Sequence, residues 1–225
     1  LLKAVGLAPV LGEYSPDLIG MEFYGKINCM KGAIVYSNIT CTVSKTYAKE
    51  ILLPEQGKGL EGVLQGICQG NRLKYILNGI DTEIWDPEKL YGALAYSEKD
   101  LSGKKMAKRE LQKQMGLEQS DLPVLSIRSR WSRQKGLDVI LFALRKYGFF
   151  NHAQLLVISI NDNTDPDYTG LWYELKGWSS IHPGRIRFYD SEPESAPLQY
   201  SGSDMILMPS LYEPCGLVAL EAMRY

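Results

Sequence analysis

From residue 124 onward the chain alternates short apolar runs with amphipathic stretches, and this rhythm limits the fold more than any other feature. VLSI (124–127), QLLVISI (154–160), RIRFY (185–189) and DMILMP (204–209) have the length and apolar character of strands. Between them lie LDVILFALRKYG (137–148), a helical stretch near 170–177 and a short one near 195–201, and a last helix starts near 216. Successive strands separated by helices pair in parallel through crossovers, and helices cover both faces of the sheet. The expected fold is therefore α/β, with a Rossmann-like parallel sheet beginning near residue 121.

The first hundred residues hold too few alternating strands for a complete domain of this kind. A short helix is expected over about 27–37 and a strand over 39–43, where Ile39, Cys41 and Val43 alternate with Thr40 and Thr42. Ser44 is a candidate N-cap for the next helix. The glycine-rich, charged stretch PEQGKGLEG (54–62) is expected as a loop, 73–77 as a strand and Asn78-Gly79 as a turn. Residues 99–115 form a lysine-rich amphipathic helix with Leu101, Met106, Leu111 and Met115 as candidate buried positions. The organisation expected is the end of one lobe plus a linker over 1–90, a helical connection over 91–120, and the parallel-sheet lobe over 121–225. The chain opens without an initiator methionine and closes inside a helical pattern, so it reads as a segment with both lobes incomplete.

With 25 basic and 26 acidic side chains the formal net charge is -1, which argues against nonspecific binding to nucleic acid or to an anionic membrane. The apolar runs are too short for a membrane span and no signal peptide is visible. Cys29, Cys41, Cys68 and Cys215 lack CxxC spacing, which fits reduced thiols in a cytosol-like compartment. The histidines, His152 and His182, lie far apart and without a cysteine pattern, so no metal site is expected.

Two stretches carry candidate chemistry. RSRWSRQKGLDVI (128–140) enters a helix directly after a strand, where parallel sheets bind ligands and helix N-termini offer unpaired N–H groups to phosphate. Arg130 and Lys135 would add a planar fork and a point charge for a diphosphate; the alternative is a solvated charge run with Arg128, Arg133 and Lys146. In PSLYEPCGLVALEAMRY (209–225), Glu213 precedes the final helix and Glu221 lies nearly two turns inside it. Both carboxylates belong to one loop–helix unit and so can meet different parts of one elongated ligand; the alternatives are a helix cap for Glu213 and a surface position for Glu221. Leu217, Leu220 and Met223 are expected against the sheet. Cys215, with no histidine beside it, reads as a small packed residue rather than a nucleophile, and Trp85 as a packing residue.

Taken in order, TVSKTYAKEI, GLEGVL, ILNGIDTEIWDP, RQKGLDVI and EPCGLVALEAMRY resemble the glycogen and starch synthases, and the likeness runs from about residue 22 to 225. These are two-lobed glucosyltransferases of the GT-B fold. The resemblance implies that residues 1–90 close the acceptor-side lobe and that 121–225 belong to the nucleotide-sugar lobe. It implies transfer of glucose, with retention, from ADP-glucose or UDP-glucose to the 4-hydroxyl of an α-1,4-glucan, without a further cofactor. Arg130 and Lys135 would hold the donor diphosphate and Glu213 the donor glucose. The backbone at Cys215, Gly216 and Leu217 would meet the sugar or the distal phosphate, Glu221 the ribose, and Tyr189 the base. The compartment implied is the cytoplasm, or the plastid in a plant or alga.

Departures from the family pattern are Lys45 in place of proline, Trp131 in place of leucine and Leu211 in place of a basic residue. SINDN (159–163) replaces a G-x-G stretch, so Ser159 and Asn161 bring Cβ atoms to a close approach. FYDSEPESAPLQYSGSD (188–204) lacks the usual Gly-Tyr and Ala-His pairs. These changes keep two alternatives open: another GT-B glycosyltransferase, and a catalytically silent homologue that binds glucan or nucleotide. The resemblance also implies that this segment alone is inactive.

Overall fold

A computed structural model describes residues 20–160, 168–190 and 196–225. The chain forms two compact units, residues 1–78 and 79–225.

The described part of the first unit starts with a hairpin, β1 (Glu22–Phe23) and β2 (Lys26–Ile27). Helix α1 (Cys29–Tyr36) follows, capped by Asn28, whose Oδ1 accepts from the Lys31 N–H at 3.0 Å. Its carboxyl end is closed by Arg72, whose guanidinium donates to the carbonyls of Val35, Ser37 and Asn38. That places a cation where the helix dipole is negative. Strand β3 (Thr40–Thr42) pairs in parallel with β4 (Leu73–Tyr75). The alternation of residues 39–43 leaves Ile39 and Cys41 exposed and Thr40 and Thr42 half-buried. Ser44 caps α2 (Lys45–Glu50), its Oγ accepting from the Tyr47 N–H at 3.1 Å. Lys45 thus fills the first helical position, where proline is favoured. The stretch expected as a loop contains a single turn of helix, α3 (Pro54–Gly57), started by such a proline, and then the first residues of α4 (Glu61–Gln69). Ile34, Ile51, Leu60, Leu64 and Ile67 form the core of this unit. No turn forms at Asn78-Gly79; residues 76–80 carry no regular structure, and the division between the units falls there.

In the second unit the alternation gives the expected elements. After α5 (Ser102–Gln114) come β5 (Val124–Ser129), α6 (Leu137–Tyr147), β6 (Gln154–Ser159), α7 (Thr169–Ile181), β7 (Ile186–Tyr189), α8 (Ala196–Gly202), β8 (Met205–Ile206) and α9 (Leu217–Arg224). The strands form one parallel sheet in the order β7-β6-β5-β8. Period two divides it into faces. Ile127, Leu155 and Val157 meet Leu137, Leu141 and Leu144 of α6 and Leu175 of α7. Val124, Leu156 and Ile158 meet Ala107 and Leu111 of α5 and Leu198 of α8. The buried stripe of α5 is Gly103, Ala107, Leu111 and Met115, spaced by four. Leu101 and Met106, expected to be buried, lie off that stripe and are exposed. Gly103 lets the helix sit on residue 95, since a Cβ there would lie 2.1 Å from the Ala95 carbonyl oxygen.

The strand order also creates a switch point. The chain moves outward from β5 through β6 to β7, then returns to the other side of β5 as β8. The loops after β5 and β8 therefore leave the carboxyl edge of the sheet side by side, at the place where open parallel sheets bind ligands.

Candidate functional site

The loop after β5 (130–136) and the loop after β8 (207–216) are tied together. The Leu211 N–H donates to the Gln134 carbonyl at 2.8 Å, and Gln134 Nε2 donates to the Tyr212 carbonyl at 3.2 Å. Gly136 has φ +62°, a left-handed conformation that glycine adopts without penalty. It also lies so close to Pro209 that a Cβ would be 2.0 Å from the proline carbonyl oxygen. The residue that caps α6 thus sets the separation of the two loops.

Across this junction Lys135 Nζ donates to both carboxylate oxygens of Glu213, at 3.0 and 2.8 Å, and both side chains are largely covered. Two groups 78 residues apart in sequence meet at the topological switch of the sheet. Arg130 stands on the same loop and is exposed. Trp131 turns inward, 1% exposed in the α6–α7 core, with its indole N–H donating to the Tyr168 carbonyl at 2.9 Å. The large ring is therefore accommodated where the family pattern has leucine. Leu211 is exposed and contributes its backbone to the loop tie.

Gly216, φ +76°, caps α9. A Cβ on it would approach Glu213 Cγ at 3.3 Å, so glycine at 216 leaves space for the carboxylate of 213. Cys215 is half-buried with a free thiol, and Leu217 is exposed at the start of the helix. The first N–H groups of a helix lack intrahelical acceptors, and Gly216 sets the start of α9 against Glu213. Helix α9 does not seat its apolar side as expected: none of its residues is fully buried and Met223 is 83% exposed.

Glu221 is not a bare surface carboxylate. Its Oε2 accepts from the Tyr200 hydroxyl at 2.7 Å, and burial, reinforced by this bond, pushes the phenol pKa far up, so Tyr200 stays protonated. Arg128, 7% exposed, donates to Gln199 Oε1 at 3.4 Å; burial lowers its pKa while Tyr200 and Glu221 oppose that shift. It does not join the solvated charges of its loop, because period two along β5 aligns it with Val124 and Ser126 on the α5–α8 face. Trp85 packs against Tyr200 with ring centroids 5.5 Å apart. Tyr189 ends β7, packs on the α5–α8 core, and donates from its hydroxyl to the Met115 carbonyl at 3.0 Å. It is held by the carboxyl end of α5. Ser159 ends β6, 4% exposed, beside Ser129; Asn161 and residues 191–195 lie outside the described residues. Among the described residues no cluster of three or more His, Cys, Asp or Glu side chains is arranged to hold a metal ion, and no helix is long and apolar enough to cross a membrane.

A parallel sheet with this strand order is an α/β, Rossmann-like architecture consistent with the GT-B fold. Comparison with known proteins specifies it further. A family model described as "Starch synthase catalytic domain" matches residues 2–66. The glycogen synthase of Geotalea uraniireducens is 42% identical over 91% of this chain and 41% of its own length, and that of Myxococcus xanthus 40% identical over 92% and 42%. Among solved structures, the catalytic domain of starch synthase IV from Arabidopsis thaliana, bound to ADP and acarbose, superposes with a TM-score of 0.76. It is 33% identical, and the match covers 93% of this chain and 42% of that one. The chain belongs to the glycogen and starch synthase family, and spans about two fifths of the length of the curated relatives it matches.

Proposed function

We propose that this chain supplies part of the active centre of a retaining glucosyltransferase that extends an α-1,4-glucan from ADP-glucose, with UDP-glucose the less favoured donor. The observation that carries the reading is the Lys135–Glu213 pair at the switch point of the sheet, beside the N-terminus of α9. A nucleotide sugar needs positive charge for its diphosphate and hydrogen-bond acceptors for its hydroxyls within one span. Lys135 with Arg130 supplies the first, and Glu213 with Glu221 the second.

In this mechanism the bond between C1 of glucose and the diphosphate oxygen breaks, and a bond from C1 to the acceptor 4-oxygen forms on the same face. The proton of the acceptor hydroxyl passes to the departing phosphate. Lys135 and Arg130 stabilise the negative charge that grows on the diphosphate, an interaction stronger in the transition state than in the ground state. Glu213 orients the glucose by accepting from its hydroxyls, and backbone N–H groups at Cys215, Gly216 and Leu217 meet the sugar or distal phosphate. Glu221 accepts from the ribose. A double displacement would instead want a carboxylate close under C1. A second reading, a silent homologue that binds donor or glucan without transfer, is favoured by buried Ser159 at the end of β6, where the family pattern has a glycine-rich turn.

The test is incorporation of radiolabelled glucose from ADP-glucose or UDP-glucose into glycogen by the full-length protein and by Glu213→Ala. Transfer by the unsubstituted protein and its loss in the variant are expected. Equal transfer by both would remove Glu213 from the mechanism, and no transfer from either donor would favour the silent homologue. The 225-residue chain on its own is expected to be inactive.

A further inference from the structure

A carboxylate that recognises a ribose diol needs a fixed plane, because two adjacent hydroxyls present their protons in one narrow geometry. Glu221 stands on α9, a helix without a fully buried residue, so its own element does little to fix it. The neighbouring element is rigid. Helix α8 presses on α5 so closely that a Cβ on Gly202 would lie 2.6 Å from Leu111 Cβ, and Leu198, Gln199, Tyr200 and Ser201 are all buried. Tyr200 is 2% exposed, and the Trp85 ring packs against it. Its hydroxyl has one proton, which goes to Glu221 Oε2 at 2.7 Å.

We propose that Tyr200 is a positioning residue for nucleotide recognition: its hydroxyl holds one oxygen of Glu221, which fixes the carboxylate plane and leaves the second oxygen to accept from the ribose hydroxyls of the donor. The proposal rests on the nucleotide-sugar reading above. Arg128 completes the arrangement. Buried on the adjoining strand, its guanidinium is electrostatically coupled to both groups and sets a positive charge against the Tyr200–Glu221 pair. The phenol contributes no charge of its own, since its proton stays on at any working pH. A structural anchor between α8 and α9 would use the same bond, but it would be indifferent to which sugar the nucleotide carries. Ribose specificity separates the two roles.

The experiment measures dissociation constants of ADP and of 2′,3′-dideoxy-ADP for the full-length protein, Tyr200→Phe, Glu221→Gln and the double variant, with the thermal midpoint of each. Tyr200→Phe keeps the ring and removes only the hydroxyl. The preference of the unsubstituted protein for ADP is expected to shrink about ten-fold in Tyr200→Phe, the lower end of the range for losing one hydrogen bond to a charged group. Glu221→Gln should reduce it at least as far, and adding Tyr200→Phe to it should change the ratio little, because both act through one contact. A lowered thermal midpoint with an unchanged ratio in Tyr200→Phe would overturn the positioning role while leaving the nucleotide-sugar reading intact. If the full-length protein bound neither ADP nor UDP, the nucleotide-sugar reading itself would fall, and the role of Tyr200 with it.

Discussion

At the scale of single residues, the junction between the two loops depends on what Gly136 lacks. A methyl group at 136 would meet the Pro209 carbonyl at 2.0 Å with φ held at +62°. Gly136→Ala is therefore expected to cost about 1–3 kcal/mol for the left-handed backbone, with steric displacement added. A fall in the urea midpoint, larger than for Gly62→Ala on open helix surface, checks this. Lys135 is a chemical position as well as a structural one. Lys135→Ala in the full-length enzyme should reduce kcat/KM for the nucleotide sugar by about a hundredfold, the scale of losing one preorganised charge-stabilising donor. Unchanged steady-state kinetics would remove Lys135 from the diphosphate site.

At the scale of elements, the strand–helix alternation is enough to place the parallel sheet, because period two and period 3.6 are imposed by burial on both faces. The meeting of Lys135 and Glu213 is legible for the same reason: each follows a strand at the carboxyl edge. What is not legible comes from partners distant in sequence. Nothing near Arg128 announces that Gln199 and Glu221 await it, and a run of basic residues hides one that faces inward. Met106 is apolar enough to suggest burial, but spacing decides the matter, and the helix buries small Ala107 against the sheet instead. The same face of α5 carries Gln112, fully buried, donating to Gln154 Oε1 at 2.8 Å and to the Ser120 carbonyl at 2.9 Å. Gln112→Leu would leave Gln154 short of a partner and is expected to destabilise by about 1–3 kcal/mol. Leu111→Ala beside it, which opens a cavity without orphaning a polar group, should cost about 2–5 kcal/mol. Denaturant titration of both variants compares the polar and the apolar contribution of one helix.

At the scale of the whole molecule, residues 1–78 and 79–225 keep separate cores, one around Leu64 and the other on the two faces of the sheet. Leu64→Ala is expected to lower amide-exchange protection in α1 and α4 well before it affects β5 and β6; a uniform loss across the chain would show one cooperative unit. Lys135 and Arg130, the two cations proposed to meet the donor, both lie in the second unit. The tie between its two loops has a further effect. Because Gln134 is stitched to residues 211 and 212, and Gly136 abuts Pro209, the two loops are a single clasp. A force that shifts one loop must drag the other, so the contact between cation and carboxylate keeps its length as the loops travel together.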